Sequence, residues 1–295
     1  MDINIFQREF DELLEFSDLY KKEHFRARKE ALDLVAVIKA LLSQGREEIV
    51  HFQARAQALG EQLSAFNETL FDEFLQRLVE EKPSPTEFRE WLMPYTLYSS
   101  DQWGAPHHGY EDIDFLLEGV LVPEPHPQPG LKPEYGMLRY EPTPASVILE
   151  LTERLEFGEN DRFYDLGSGL GKVTSLTHLL SGVRCVGVEY QPDFCAYAET
   201  QAQRLGLDEL RYINHDARNV DYANATIFFL FNPFGGVIFD DVFEKIRFEA
   251  KQRALTICSY GSSSLALSEF AWLEETSPRA QEEMSLAIFR SVAVK

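Results

Sequence analysis

Apolar positions recur every three to four residues through the first 82 residues, and then the period changes. Phe6, Phe10, Leu13 and Leu14 fall on one stripe. Leu34, Val35, Ile38, Leu41 and Leu42 make a second, and Leu63, Phe66, Leu70, Phe74 and Leu78 a third. That spacing predicts amphipathic helices, each with one buried face. The stretch has no proline and only two glycines, Gly45 and Gly60, which are the candidate breaks. Two or three such helices bury too little to form much of a core alone. They are expected to pack on the rest of the chain or on a second copy, which makes a homodimer through the N-terminal helices a possible assembly.

Residues 83–144 hold eleven of the fourteen prolines. Pro123, Pro125, Pro127 and Pro129 alternate with other residues up to Gly130, a composition that favours extended polyproline II backbone and predicts a semi-rigid surface strap. Just upstream, Trp103, His107, His108, Tyr110, Glu111, Asp112 and Asp114 crowd one short segment. Their spacing matches no metal-ligand pattern. No metal is expected there, and the segment reads as a loop, with a role as a lid left open.

From residue 145 onward, short apolar runs alternate with amphipathic stretches. Strands are predicted at 162–166, 184–189, 211–214, 226–231, 254–259, 272–276 and 286–292, with helices at 172–180, 191–205 and 238–251 between the first five. Pro192 suits the first turn of the second of these helices. Repeated strand–helix–strand units predict an α/β fold with a parallel sheet covered on both faces, and the last two strands form an antiparallel excursion at its edge. The expected organisation is a helical N-terminal domain over 1–90, a proline-rich lid or linker over 91–141, and an α/β domain over 142–295.

The chemistry-bearing positions fall where these strands end. Asp165-Leu166-Gly167-Ser168-Gly169-Leu170-Gly171 follows the first strand and opens a helix. The glycines allow a tight turn and close approach of a ligand to the backbone. The spacing is G-x-G-x-G and not the G-x-G-x-x-G of dinucleotide folds. An acid opening the loop would repel a pyrophosphate but suits a ligand that carries an ammonium group. Glu189 ends the second strand, where a carboxylate can accept hydrogen bonds from both hydroxyls of a ribose. Past the third strand, Asp216 could accept from an adenine amino group, Ala217 could lie against the ring, and Tyr190 or Gln191 could cover its other face. Asn232-Pro233-Phe234-Gly235 ends the fourth strand and points into the same crevice, where the Asn232 amide oxygen or the carbonyls of the turn could accept from an amine nucleophile.

Together these positions resemble class I S-adenosylmethionine-dependent methyltransferases over roughly residues 140–295. The phrase from Phe163 to Gly171 and the order of the later motifs are similar to the non-SET lysine methyltransferases of the disruptor-of-telomeric-silencing type. That resemblance implies a Rossmann-like seven-stranded methyltransferase sheet with an α-helical N-terminal domain, and S-adenosyl-L-methionine as cofactor. It places Asp165, Gly167, Ser168, Gly169 and Gly171 by the methionine moiety, Glu189 by the ribose and Asp216 by the adenine. Tyr140-Glu141-Pro142-Thr143 is the nearest equivalent of an upstream loop that touches the cofactor. The implied catalytic residues are Asn232 and Tyr140, with Thr143 on the cofactor side. Two other readings of the same residues are a non-catalytic S-adenosylmethionine-binding scaffold and a dinucleotide-dependent oxidoreductase.

Charge narrows the acceptor. Lys and Arg total 28 against 49 Asp and Glu, a net charge of −21. Such a chain repels phosphate backbones and anionic membranes, so neither nucleic acid nor a membrane is an expected partner. Residues 83–141 hold ten acidic and three basic side chains. Acidity leading straight into Tyr140 favours a cationic amine or a basic protein side chain as the methyl acceptor, with the N-terminal half forming its pocket. The acidic start Met1-Asp2-Ile3-Asn4 lacks an apolar signal block, and the three cysteines form no disulfide or zinc pattern, so the expected location is the cytoplasm.

Overall fold

The structure, a computed structural model, describes residues 3–15, 17–41, 47–96, 111–276 and 284–292. The N-terminal half is helical: α1 (Ile3–Glu15), α2 (Phe25–Leu41), α3 (Glu47–Glu81), α4 (Pro85–Leu92) and α5 (Glu111–Leu121). The second half begins with α6 (Ala145–Arg154) and continues as β1 (Arg162–Leu166), α7 (Lys172–Ser181), β2 (Arg184–Glu189), α8 (Pro192–Arg204), β3 (Leu210–Asn214), β4 (Ile227–Phe231) and α9 (Val237–Ala250). It ends with β5 (Thr256–Tyr260), α10 (Ser263–Ser268), β6 (Leu273–Glu275) and β7 (Leu286–Ser291).

The seven strands form one sheet in the order β3-β2-β1-β4-β5-β7-β6. The first five run parallel, and β7 inserts antiparallel between β5 and β6. Every predicted strand is present within two residues of its expected ends. Because side chains alternate along a strand, neighbours in sequence feed opposite faces. Phe163, Cys185 and Phe229 face the core beneath α6, α7 and α8. Tyr164, Phe228 and Leu230 face the core beneath α9. The strand order reverses between β1 and β4, and this topological switch opens a crevice beyond the carboxyl ends of those strands.

The N-terminal helices pack on the rest of the chain, with little core of their own. The ends of α1, α2 and α3 enclose a small core of their own around Phe10, Val35, Ile38, Leu59 and Leu63. The rest is no separate domain. Phe25, Leu70, Phe74, Leu78, Phe88 and Leu92 belong to the same core as Ile148, Leu176 and Phe229 of the sheet layer. The expected boundary at residue 90 falls inside α4, and the expected linker 91–141 contains α5, whose Ile113, Leu116, Leu117, Val120 and Leu121 are buried. Ile113, Leu116, Leu117, Val120 and Leu121 do follow the helical i, i+3, i+4, i+7, i+8 spacing, but the stripe is short and stands between a polar segment and the alternating prolines, so it reads as part of the linker. α4 starts cleanly: Pro85 is at its first turn, and Ser84 and Glu87 form a reciprocal capping box.

Among the described residues, no helix is long and apolar enough to cross a membrane, and no group of three or more His, Cys, Asp and Glu side chains could hold a metal ion. Trp103, His107, His108 and Tyr110 lie outside the described residues.

Candidate active site

The loop after β1 is built by backbone that only glycine adopts easily. Gly167, Gly169 and Gly171 all have positive φ, at 78°, 52° and 85°. Each also lacks the atom that would collide with a neighbour. A Cβ on Gly167 would fall 2.4 Å from Pro233 Cβ, and one on Gly169 would fall 2.3 Å from the Tyr140 ring. On Gly171 it would fall 2.5 Å from the Tyr212 hydroxyl. The loop is thereby wedged between the β4 turn, the strap and β3.

Glu189 ties this loop to β2. Its Oε2 accepts from the Gly169 N–H at 2.8 Å and its Oε1 from the Gln191 N–H at 2.8 Å. The residue is buried, and burial raises its carboxyl pKa although these backbone N–H groups pull the other way. Asp165 is more extreme. It is fully buried, and desolvation together with the nearby Glu189 charge raises its pKa well above the usual carboxylate range. Its Oδ2 has no hydrogen-bond partner, and the same holds for the buried Ser168 Oγ. Orphaned polar atoms of this kind are rare in a native interior and mark a place where a ligand group completes the bonding. Asp165, Ser168, Thr143 and Tyr140 line one narrow crevice with Glu141, Lys172 and Phe231, whose cavity volume is about 20 Å³.

A strap roofs this crevice and is fastened to the turns after three strands. Past β2, the Gln191 amide exchanges two hydrogen bonds with the Leu131 backbone, at 2.8 and 2.9 Å. Past β3, Arg218 bridges Glu134 at 2.6 Å and Asp216 at 2.5 Å. Past β4, Met137 pairs with Phe234 in an antiparallel bridge, Leu138 N–H donates to the Pro233 carbonyl at 3.1 Å, and Gly235 N–H donates to the Gly136 carbonyl at 2.8 Å. The strap then delivers the Tyr140 ring onto Gly169 and against Phe194. Burial and the carboxylates of Glu118, Asp165 and Glu189 push the Tyr140 phenol pKa upward, so the hydroxyl stays protonated.

Two of the expected site residues are already engaged within the chain. The Asn232 amide oxygen is not free for an amine: it accepts from Ser263 N–H at 2.8 Å, Ser263 Oγ at 3.0 Å and Ser262 Oγ at 3.1 Å. Asn232 sits at φ 44° and clamps the β4 turn to the β5–α10 turn. The Pro233 carbonyl, also proposed as an acceptor, already takes the Leu138 N–H. Asp216 likewise spends both carboxylate oxygens on Arg218, and it caps a short turn at Ala217–Asn219. These bonds hold its pKa below the usual value. Ala217 is half-buried beside it, and Tyr190 is half-buried, its carbonyl taking the Asn214 amide.

Several site residues escaped the sequence reading. Lys172 is buried in the crevice wall and donates to Asp114 at 2.8 Å and Glu118 at 3.3 Å, both on α5. Tyr260 packs at a tilt against Phe231, ring centres 4.9 Å apart, and its pKa is raised by burial and then by Glu141, Glu150 and Asp114. The only sequence signal for Lys172 was its place directly after Gly171.

A search of curated proteins gives no match. Residues 134–227 match the family model described as "Histone methylation protein DOT1". Over this stretch the chain is similar to that histone-methylation family, and its seven-stranded sheet is Rossmann-like. The matched stretch covers the strap turn, Tyr140, the glycine loop, Glu189 and Asp216, which is the cofactor side of the crevice, and it stops before Asn232. Among solved structures, an RNA methyltransferase from Salinibacter ruber in complex with S-adenosyl-L-homocysteine is 22% identical over 51% of this chain and 92% of that one, with a TM-score of 0.40. A geranyl diphosphate C-methyltransferase from Streptomyces coelicolor A3(2) is 13% identical over 50% of this chain and 77% of that one, TM-score 0.37. An S-adenosylmethionine-dependent methyltransferase from Geobacter sulfurreducens is 25% identical over 39% and 48% of the two chains, TM-score 0.31.

The residues of the crevice fit the charged groups of S-adenosylmethionine. The orphaned Asp165 oxygen lines the space where an ammonium would be welcome. Glu189 keeps lone pairs beyond the two backbone bonds it accepts, so it can also take a ribose hydroxyl.

Proposed function

We propose that this methyltransferase acts on an amine nitrogen, carried by a basic protein side chain or a small cationic amine, and that the N-terminal half supplies one wall of the acceptor site. The observation that carries this reading is the charge of the crevice. Glu141 from the strap and Asp114 and Glu118 from α5 stand around it, and Glu150 and Asp114 act on Tyr260 at its β5 side. Lys172 is the cation in its lining. An acidic mouth with an aromatic pair, Phe231 and Tyr260, attracts a cationic acceptor and repels a phosphorylated one. The family described as a histone methylation protein fits this direction, since a histone is a basic protein.

The cofactor, when bound, supplies a sulfonium methyl that an amine lone pair can attack while the carbon–sulfur bond breaks toward sulfur. The chain's own residues then have three tasks. Tyr140 and the strap exclude water from above Gly169. Phe231 and Tyr260 hold the acceptor's apolar stem in line, and such positioning supplies much of the acceleration in a reaction of this type. Glu141 is the carboxylate placed to receive the amine's surplus proton or pass it to water.

Radiolabelled methyl transfer onto free lysine, a lysine-bearing peptide, purified histone and an oligonucleotide tests the reading. Label is expected on one of the amine probes, and Glu141→Gln should lower its rate by roughly tenfold with little change in cofactor affinity. Label on the oligonucleotide, or on none of the amines, overturns it. Truncating the N-terminal half is a poor substitute for this test, because it would strip Leu78, Phe88 and Leu117 from the shared core.

A further inference from the structure

A cavity of about 270 Å³ lies away from the crevice, where the N-terminal half meets the far ends of α7 and α8. Leu78 reaches it from the end of α3, Leu179 from α7, and Leu205 and Leu207 from the turn between α8 and β3. All four are buried members of the core that the two halves share. Interior packing at ordinary density leaves no gap of this size, which equals roughly nine waters at about 30 Å³ each. Leucine offers water no bonding partner, so such a space gains from an apolar occupant. The site is distinct from the crevice. Lys172 and Val173 line the crevice at the start of α7, whereas His178 lines the cavity six residues on, about 9 Å along the helix axis.

The ionisable groups of this lining are of one kind. Lys82 and His178 belong to it and no carboxylate does, in a chain with 49 acidic side chains against 28 basic ones. Three helices, α3, α7 and α8, end beside the cavity, and free carbonyls at those ends would favour a cation. The chain closes on them instead. Leu78 O takes the Lys82 N–H at 3.1 Å, His178 O the Gly182 N–H at 2.7 Å, and Ala202 O the Leu207 N–H at 2.9 Å. The His178 ring is fixed, its Nδ1–H donating to the Val183 carbonyl at 2.8 Å, so Nε2 can donate to an anion once the ring takes a proton. Among the described residues, neither that Nε2 nor the Lys82 ammonium has a protein partner. Lys82 is also held at φ 45°, a left-handed conformation that glycine usually supplies just past a helix end. A lysine there sets a cation at the rim of an apolar space.

We propose that this cavity binds a small apolar carboxylate, a body of about eight carbons resting on the leucines and the carboxylate meeting Lys82 and His178. Such a ligand joins the two halves of the chain, since Lys82 follows α3 and His178 belongs to α7. The proposal does not depend on the chemistry of the crevice.

Calorimetric titration of the full chain with octanoate, octanol and octylamine separates the apolar body from the head group. Octanoate should bind about fivefold or more tightly than octanol, and octylamine most weakly. Lys82→Gln should bring octanoate close to the affinity of octanol and leave octanol unchanged; the lysine is exposed, so the fold tolerates this substitution. His178→Asn can keep a donor near the Val183 carbonyl while it deletes Nε2, and it should reduce the octanoate preference in the same direction. Leucine methyl NMR locates the ligand, with octanoate shifting Leu78, Leu179, Leu205 and Leu207. Absence of octanoate binding overturns the proposal, as does octanol or octylamine binding equally well. An octanoate preference that survives either substitution, or shifts confined to other leucines, overturns it too.

Discussion

Asp165 concentrates the conflict between stability and binding in this protein. An acid whose pKa rises on folding holds more protons folded than unfolded between its ordinary and its raised value, so stability falls as pH rises through that window. Burial and Glu189 raise Asp165 in this way. Asp165→Asn should therefore gain on the wild type in chemical denaturation as pH rises above the ordinary carboxylate range. Cofactor affinity should fall at least about tenfold at the same time. A flat difference across that pH range would show that the carboxyl is not the destabilising group. Asn232 is a residue of the opposite kind. Its three hydrogen bonds join two turns, so Asn232→Ala should cost roughly 1–3 kcal/mol of stability. Turnover should drop with the loosened turn, and loss of turnover with unchanged stability would return the residue to a direct role.

At the scale of elements, the glycine loop and the strand beneath it are fitted to each other. The Tyr212 hydroxyl contacts Thr174 Oγ1 at 2.8 Å, and Thr174 Oγ1 donates to the Gly171 carbonyl at 2.9 Å. Gly187 on β2 lacks the Cβ that would meet the Tyr212 ring at 2.6 Å. Gly171→Ala combines strained backbone with a 2.5 Å approach to that hydroxyl and should lose about 2 kcal/mol or more. Tyr212→Phe removes the blocking oxygen, so the double variant should be less destabilised than the sum of the two singles. A strictly additive thermodynamic cycle would place the strain in the backbone alone. The strap shows the same fitting through polar staples. Gln191→Ala deletes both bonds to Leu131, and hydrogen exchange over residues 131–138 should speed up while global stability changes little.

At the scale of the whole molecule, the two halves share one core. Phe88 is fully buried between α3, α4 and the sheet layer, so Phe88→Ala should cost about 3–5 kcal/mol. The loss should appear in a single unfolding transition recorded both by helix signal and by cofactor-site probes. Two separated transitions would show that the N-terminal helices fold on their own. The shared core also explains how α5 can deliver Asp114 and Glu118 to Lys172: α5 packs between α2, α3, α6 and α7.

What the sequence by itself determined was the part governed by local periodicity and by backbone chemistry. Alternating and continuous apolar runs specified seven strands, because a buried strand must present apolar side chains every residue or every second one. The glycine spacing after Asp165 and the acid ending β2 marked the crevice at the strand ends, because a tight turn of positive φ admits few residue types. Tertiary structure alone decided the remainder. The helix α5 carries a stripe of only three turns beside the alternating prolines, and only its packing against α2, α3, α6 and α7 makes it part of the core. The partners of Asn232 lie 30 and 31 residues away, and whether its amide oxygen is free depends on which neighbour reaches it. Lys172 meets its two acids across more than fifty residues of chain, a juxtaposition that packing creates and no local pattern encodes.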